Sequence, residues 1–295
     1  MTAGEVAVVD RSPRPSPLAD GLRRYFAALL TPKGLIGSGL LVALSLAALL
    51  APLIFPGGVD QQTRDSFMPP TLLRPFGTDE LGRDIFVRCI YALRISISLV
   101  IVAVPIAMVI GTLMGLAGAV SLSLGNAFQR LFDIILGFPS IVLGICIVII
   151  MGPGWPALAV SIVIFSLPQF GRLARAQLLS EMGREYVLAA RVLGVGRGRI
   201  MLRHILPNTL DPLFVQLSLS MIAGIFLEAA LSIVGLGIQP PTPSLGTLLN
   251  VGIRYVYAQP MYTGGPVIML LLLALGFNLI ADALNAAVLQ SRADS

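Results

Sequence analysis

Arg184-Glu-Tyr-Val-Leu-Ala-Ala-Arg-Val-Leu-Gly194-Val-Gly-Arg-Gly-Arg-Ile-Met-Leu-Arg-His-Ile-Leu-Pro207-Asn208 is a basic, polar island between two long apolar regions. Tyr186 to Leu193 are good helix formers with two adjacent alanines, Ala189 and Ala190, and Gly194 supplies the stop that a left-handed cap favours. Gly196 and Gly198, interleaved with Arg197 and Arg199, let the backbone bend before a second helical run that ends against Pro207. The stretch predicts a helix-turn-helix at a membrane surface, which is a docking shape.

Everything around that island points to lipid. The 295 residues are 56% hydrophobic and 12% charged, with a mean hydropathy of +0.89, against about 25% charged residues in soluble domains. The net charge of +5 and pI near 9.7 do not indicate nucleic acid, because the arginines collect between apolar spans instead of forming a patch interleaved with aromatics. Cys89 and Cys146 lie in different segments, indicate no disulfide framework, and are expected to be packing residues.

Residues 1–31 are polar and Pro-rich, too mixed for a signal peptide, and predict a flexible cytoplasmic tail whose Leu22-Arg-Arg-Tyr-Phe26 run lies on the membrane surface. Leu35 to Phe55 is an uncharged run of 21 residues, enough to cross roughly 30 Å of hydrocarbon at about 1.5 Å per residue. A charged connection, Pro56 to Arg94, precedes a second span from Ile95 to about Val120, with a kink expected at Pro105 and close helix contact at Gly111 and Gly115. Gly152-Pro-Gly-Trp-Pro156 divides a long apolar run into a third span, from Asp133, and a short fourth, Trp155 to Phe170. Pro212 to Gly237 and Gly265 to about Leu289 make the fifth and sixth, separated by the Pro-rich Gln239 to Gly246. The expected organisation is an all-α, polytopic protein with a six-helix membrane domain over residues 32–290, a polar loop at 172–206 and a short tail at 291–295.

With the N-terminus inside, fourteen of the Lys and Arg residues fall on the cytoplasmic side and six outside, so the positive-inside rule places both termini and the 184–208 island in the cytoplasm. The five arginines of the first outer connection run against that count. Lys33, the only lysine, is followed by glycine and sits in no Gly-Lys-Ser/Thr loop, so this chain carries no phosphate cradle of its own. His204 is the only histidine, which argues against a metal site. No nucleophile, base and oxyanion set is recognisable, and the chain is expected not to be an enzyme. Asp133, Asp211 and Asp282 fall near the cytoplasmic interface, where caps or inter-subunit pairs are the expected roles.

Ala189-Ala190, three residues, Gly194, then Leu206-Pro207 resembles the EAA loop of bacterial ATP-binding-cassette importer permeases, with Leu188 standing where that family has a Glu and Glu185 the nearest carboxylate. Phe76-Gly-Thr-Asp-Glu-Leu-Gly-Arg-Asp84, Arg203-His-Ile-Leu-Pro-Asn208, Leu231 to Ser244 and Gly276 to Leu284 resemble the dipeptide, oligopeptide and nickel branch, second permease subunit. The resemblance implies a type I importer permease fold in a bacterial inner membrane. It also implies a sister permease, two ATP-binding subunits that carry ATP and Mg, and an extracytoplasmic substrate-binding protein. It casts Glu185, Ala189, Ala190, Arg191 and Gly194 as the ATPase-coupling helix and Asp79, Glu80, Arg83 and Asp84 as a landing place for the binding protein; a solvated, internally paired loop is the alternative for the latter four. Glu228 falls 21 residues beyond Pro207, about 30 Å along a helix and toward the outer mouth, where it could meet a peptide's ammonium group or merely be hydrated. The function implied is uptake of di- or oligopeptides. A nickel or metal-chelate importer and a non-transporting membrane scaffold or receptor are the rivals.

Overall fold

The computed structural model describes residues 17–201 and 205–293. Among them the regular structure is helical, apart from one isolated bridge between Thr78 and Asp84. The helices are α1 (Pro17–Leu29), α2 (Pro32–Ile54), α3 (Ile85–Leu116), α4 (Leu122–Leu136), α5 (Ser140–Met151), α6 (Trp155–Met182), α7 (Glu185–Val192), α8 (Arg197–Ile200), α9 (Leu206–Ile233), α10 (Leu245–Gly252) and α11 (Met261–Ala293). Helices α2, α3, α6, α9 and α11 are each long and apolar enough to cross a membrane, whereas α4 and α5 meet that test only together, across a 95° bend.

The bent pair replaces the straight third span expected from Asp133. Pro139 offers no backbone N–H and disfavours helical geometry at Phe138, so the helix breaks at Gly137 to Pro139. At 12 residues, α5 is about 18 Å long and cannot cross alone. Helices α3 and α6 run parallel: the Trp155 indole N–H at the start of α6 donates to Ser98 Oγ of α3 at 3.1 Å, and Gly115 meets Gly171 near the other end. The chain leaves α3 at one end of the bundle and enters α6 at the opposite end, so α4 and α5 between them carry it across. Six crossings result.

Close approach without side chains sets two of the helix seams. A β-carbon on Gly111 would lie 2.7 Å from the Leu167 carbonyl, and one on Gly115 would lie 2.2 Å from that of Gly171, so the contact expected at these two glycines is made, and its partner is α6. Gly37 of α2 and Gly276 of α11 pair in the same way, with the Gly276 carbonyl 2.9 Å from where a Gly37 β-carbon would sit. At the end of this seam Lys33 Nζ lies 3.2 Å from Asp282 Oδ2, so the start of α2 and the end of α11 share one end of the bundle.

Several boundaries move. Helix α3 begins at Ile85, ten residues before the expected second span, because Asp84 caps it, accepting from the backbone N–H of Phe86 at 2.8 Å and Val87 at 3.2 Å. Arg88 and Arg94, two of the five arginines that ran against the charge count, therefore stand on a helix. Helix α6 continues twelve residues past Phe170 to Met182 and carries Arg172 and Arg175 with it; Arg172 pairs with Asp133. Pro207 does not end a helix but opens α9, in the first turn where its missing N–H costs nothing. Pro105 lies inside a continuous α3. Thirteen residues of the expected tail, 17–29, form helix α1, where Tyr25 donates to Asp211 of α9 and Arg24 lies 3.5 Å from the same carboxylate. The first 16 residues, Arg203 and His204 lie outside the described residues. Cys89 is buried as expected, but Cys146 is exposed on α5, and both are free.

Candidate functional site

Helix α7 lies beneath the bundle at the end shared by Lys33 and Asp282, and its two faces differ in kind. Val187 and Ala190 point inward and join Leu116 of α3, Ala174 and Leu178 of α6, Ile200 of α8 and Ile205 in a second apolar core, separate from the main one. Glu185, Leu188, Ala189, Val192 and Leu193 point outward and are exposed, Val192 at 88% and Leu193 at 81%. These positions follow the i, i+3, i+4, i+7 spacing of a single helical stripe. Arg191 lies on the same helix. A helix seated by one apolar face and presenting a second apolar face away from the bundle is shaped to enter a groove on another protein.

The exit of α7 is fixed by backbone geometry. Gly194 has φ +74°, the left-handed region, and the Val195 N–H donates to the Ala190 carbonyl at 3.0 Å, the long-range bond of a Schellman cap. The expected stop is therefore made at Gly194. A β-carbon there would meet open space, so backbone conformation, and not crowding, requires glycine.

The entrance holds residues that the sequence reading passed over. Glu181, in the last turn of α6, is buried at 6% exposure; its Oε2 accepts from the Tyr186 hydroxyl at 2.6 Å and its Oε1 lies 3.2 Å from Arg184 Nε. Glu181 and Arg184 stand at i, i+3 and Tyr186 two residues on, a spacing that could have drawn attention to the pair. Of the coupling set, Glu185, Ala189 and Gly194 are outward and Ala190 is inward.

The charged stretch at the opposite end turns inward. Asp79 is fully buried and accepts from the Leu81 and Arg83 backbone N–H groups, each at 2.9 Å, from Arg83 Nε at 2.7 Å and from Arg88 Nη1 at 2.7 Å. Burial opposes the charge on Arg83, but the hydrogen bond and negative charge of Asp79 prevail and hold its pKa above the ordinary arginine value. Glu80 lies 3.3 Å from Arg83, and Asp84 is spent on capping α3. Gly82, at φ +69°, turns so close to Thr63 that a β-carbon would lie 2.2 Å from the Thr63 carbonyl. These four residues shape the loop from within. What the loop presents outward is Leu72 and Leu73, fully exposed at the tip of a turn closed by the Thr71 N–H donating to the Arg74 carbonyl at 2.9 Å.

Glu228 is also interior. At 1% exposure it accepts from Ser96 of α3 at 3.0 Å and Ser232 of α9 at 2.9 Å, and Ser244, at the start of α10, bonds it as well. The carboxylate ties three elements together inside the bundle and is closed to solute in this conformation. Helix α10, unforeseen in the sequence, is capped by Ser244 and Thr247 in a reciprocal box.

The sequence profile described as "Binding-protein-dependent transport system inner membrane component" matches residues 107–293. The di/tripeptide transport system permease protein DppC of Pseudomonas aeruginosa is 39% identical over 284 residues, covering 93% of this chain and 92% of that protein. The dipeptide transport system permease protein DppC of Alkalihalophilus pseudofirmus is 37% identical over 256 residues, covering 86% and 84% respectively. Among solved structures, an inward-facing conformation of the MetNI methionine ABC transporter superposes with a TM-score of 0.56 at 19% sequence identity, over 68% of this chain and 95% of that one. That last likeness concerns the fold.

Proposed function

Since the chain belongs to the binding-protein-dependent transport system inner membrane component family, we propose that it forms half of the translocation pathway of an ATP-driven importer of di- or oligopeptides. It is a permease subunit and not an enzyme. The peptide substrate is carried over from relatives whose names specify di- and tripeptide or dipeptide transport and which match the chain almost end to end. The observation that carries the mechanism is the two-faced α7, seated inside by Val187 and Ala190 and bare outside at Leu188, Ala189, Val192 and Leu193.

The site is a bacterial inner membrane with both termini and α7 in the cytoplasm. There the outer face of α7 enters a groove on one of two ATP-binding subunits, which hold ATP and Mg. A sister permease completes the pathway. An extracytoplasmic binding protein lands on the opposite end, where the loop braced by Asp79, Arg83 and Asp84 offers Leu72 and Leu73. When the ATPases close on nucleotide, α7 moves with them, and the helices packed on it turn the pathway from inward to outward. The glycine seam at Gly111 and Gly115 lets that motion pass between α3 and α6 without loss of contact.

Purification of the chain from its native membranes in mild detergent, followed by mass spectrometry and uptake of labelled dipeptide into vesicles, tests the reading. A second permease, a subunit bearing a phosphate-binding loop, and ATP-dependent dipeptide uptake are expected. Assembly without dipeptide uptake would reject the substrate, and recovery of the chain alone in several gentle detergents would reject the assembly.

A further inference from the structure

We propose that Glu181 is a positioning residue that locks α7 to α6, so that a push on the docking face is delivered along α6 and not lost in the joint. The proposal rests on the docking role given to α7 above.

The joint itself is weak. Only Gly183 and Arg184 separate the last residue of α6 from the first of α7, and a two-residue link that includes glycine does not hold an angle by itself. The Glu181 carboxylate supplies what the link lacks. Each oxygen faces a different partner: Arg184, from within the link, forms an ion pair with Oε1 at 3.2 Å, and the Tyr186 hydroxyl, from the first turn of α7, donates to Oε2 at 2.6 Å. The Arg184 backbone N–H closes the same corner on the Glu181 carbonyl at 3.1 Å. The Tyr186 bond is the stronger of the two, being a charge-assisted hydrogen bond to a nearly buried carboxylate, while the pair with the exposed Arg184 adds little; leaving such a carboxylate unpaired is costly.

The lever beyond the joint is long. Helix α6 runs for 28 residues from Trp155 to Met182, continuous through Pro168, about 42 Å, and the Trp155 indole at its far end is bonded to Ser98. A rotation of α7 that keeps the Glu181 corner intact moves α6 and, through the Gly115–Gly171 seam, α3. With the corner broken, the same rotation is absorbed by Gly183. Val187 and Ala190 would still seat the helix, so assembly survives the loss of the corner while transmission does not.

The test places Glu181→Ala, Glu181→Gln and Tyr186→Phe separately in the complete importer, reconstituted in liposomes, and measures labelled dipeptide uptake per ATP hydrolysed. The ratio is expected to fall about tenfold for Glu181→Ala and about threefold for Tyr186→Phe, with Glu181→Gln, which keeps an acceptor for Tyr186, between them. Wild-type ratios in Glu181→Ala and Tyr186→Phe would overturn the proposal; should Glu181→Ala fail to assemble, Tyr186→Phe, which removes one hydroxyl, decides alone. Ala189→Arg is measured alongside. If it too keeps the wild-type ratio, the docking role falls and the lock with it; if it uncouples while Glu181→Ala does not, only the lock falls.

Discussion

Gly115 of α3 stands against the Gly171 carbonyl of α6 so closely that a β-carbon would lie 2.2 Å from the oxygen. No staggered side chain relieves a clash between one backbone and another. Gly115→Ala is therefore expected to pry α3 from α6 and to cost about 1–3 kcal/mol of stability. A lower unfolding temperature of the purified permease pair in detergent checks this, and an unchanged one would show that the seam can open at no cost.

Asp79 gathers two arginine side chains and two backbone N–H groups about one buried carboxylate. Asp79→Ala would leave the buried Arg88 guanidinium without its carboxylate, and breaking a buried pair by removing one member costs about 3–5 kcal/mol. The variant is expected to lose the ordered 60–84 loop first, seen as early proteolysis at that loop in right-side-out vesicles. Protection equal to wild type would count against the bracing role.

The stripe Leu188, Ala189, Val192 and Leu193 is apolar and outward. Val192→Asp is expected to leave membrane insertion intact and to weaken recovery of the ATP-binding subunits by at least about tenfold, the effect of burying an unpaired charge in an apolar contact. Co-purification at wild-type stoichiometry would show that the partner grips α7 elsewhere.

At Gly194 the left-handed φ of +74° disfavours a branched side chain. Gly194→Val is expected to cost about 1–2 kcal/mol locally, unwinding the Schellman cap and turning the exit of α7. Dipeptide uptake should fall further than protein abundance does; parallel losses would mean that the substitution simply unfolds the subunit.

Apolar runs and their flanking charges made the number of crossings legible, and the Ala189-Ala190 and Gly194 pattern marked α7 and its stop. What the sequence hid depends on geometry across the fold. The break at Phe138-Pro139 lay inside an uninterrupted apolar run, where hydropathy is blind to a bend. The start of α3 was hidden because Arg88 and Arg94 look like loop charges until Asp79, nine residues before Arg88, is seen to neutralise one of them. Glu228 looked like a free carboxylate at a mouth because two of its partners, Ser96 and Ser244, come from other elements far along the chain. Pro207 misled for a local reason: a proline after an apolar residue can stop one helix or begin the next, and only the backbone direction distinguishes them.

Trp155 is the chain's single tryptophan, and its indole N–H is held by Ser98 across the seam of α3 and α6. Indole emission shifts with local polarity and hydrogen bonding. The subunit therefore carries a built-in optical gauge at the end of the bundle farthest from α7. In an importer whose other subunits have had their tryptophans replaced, the nucleotide-driven movement proposed for α7 would be read as a colour change at the far end of α6, with no dye attached.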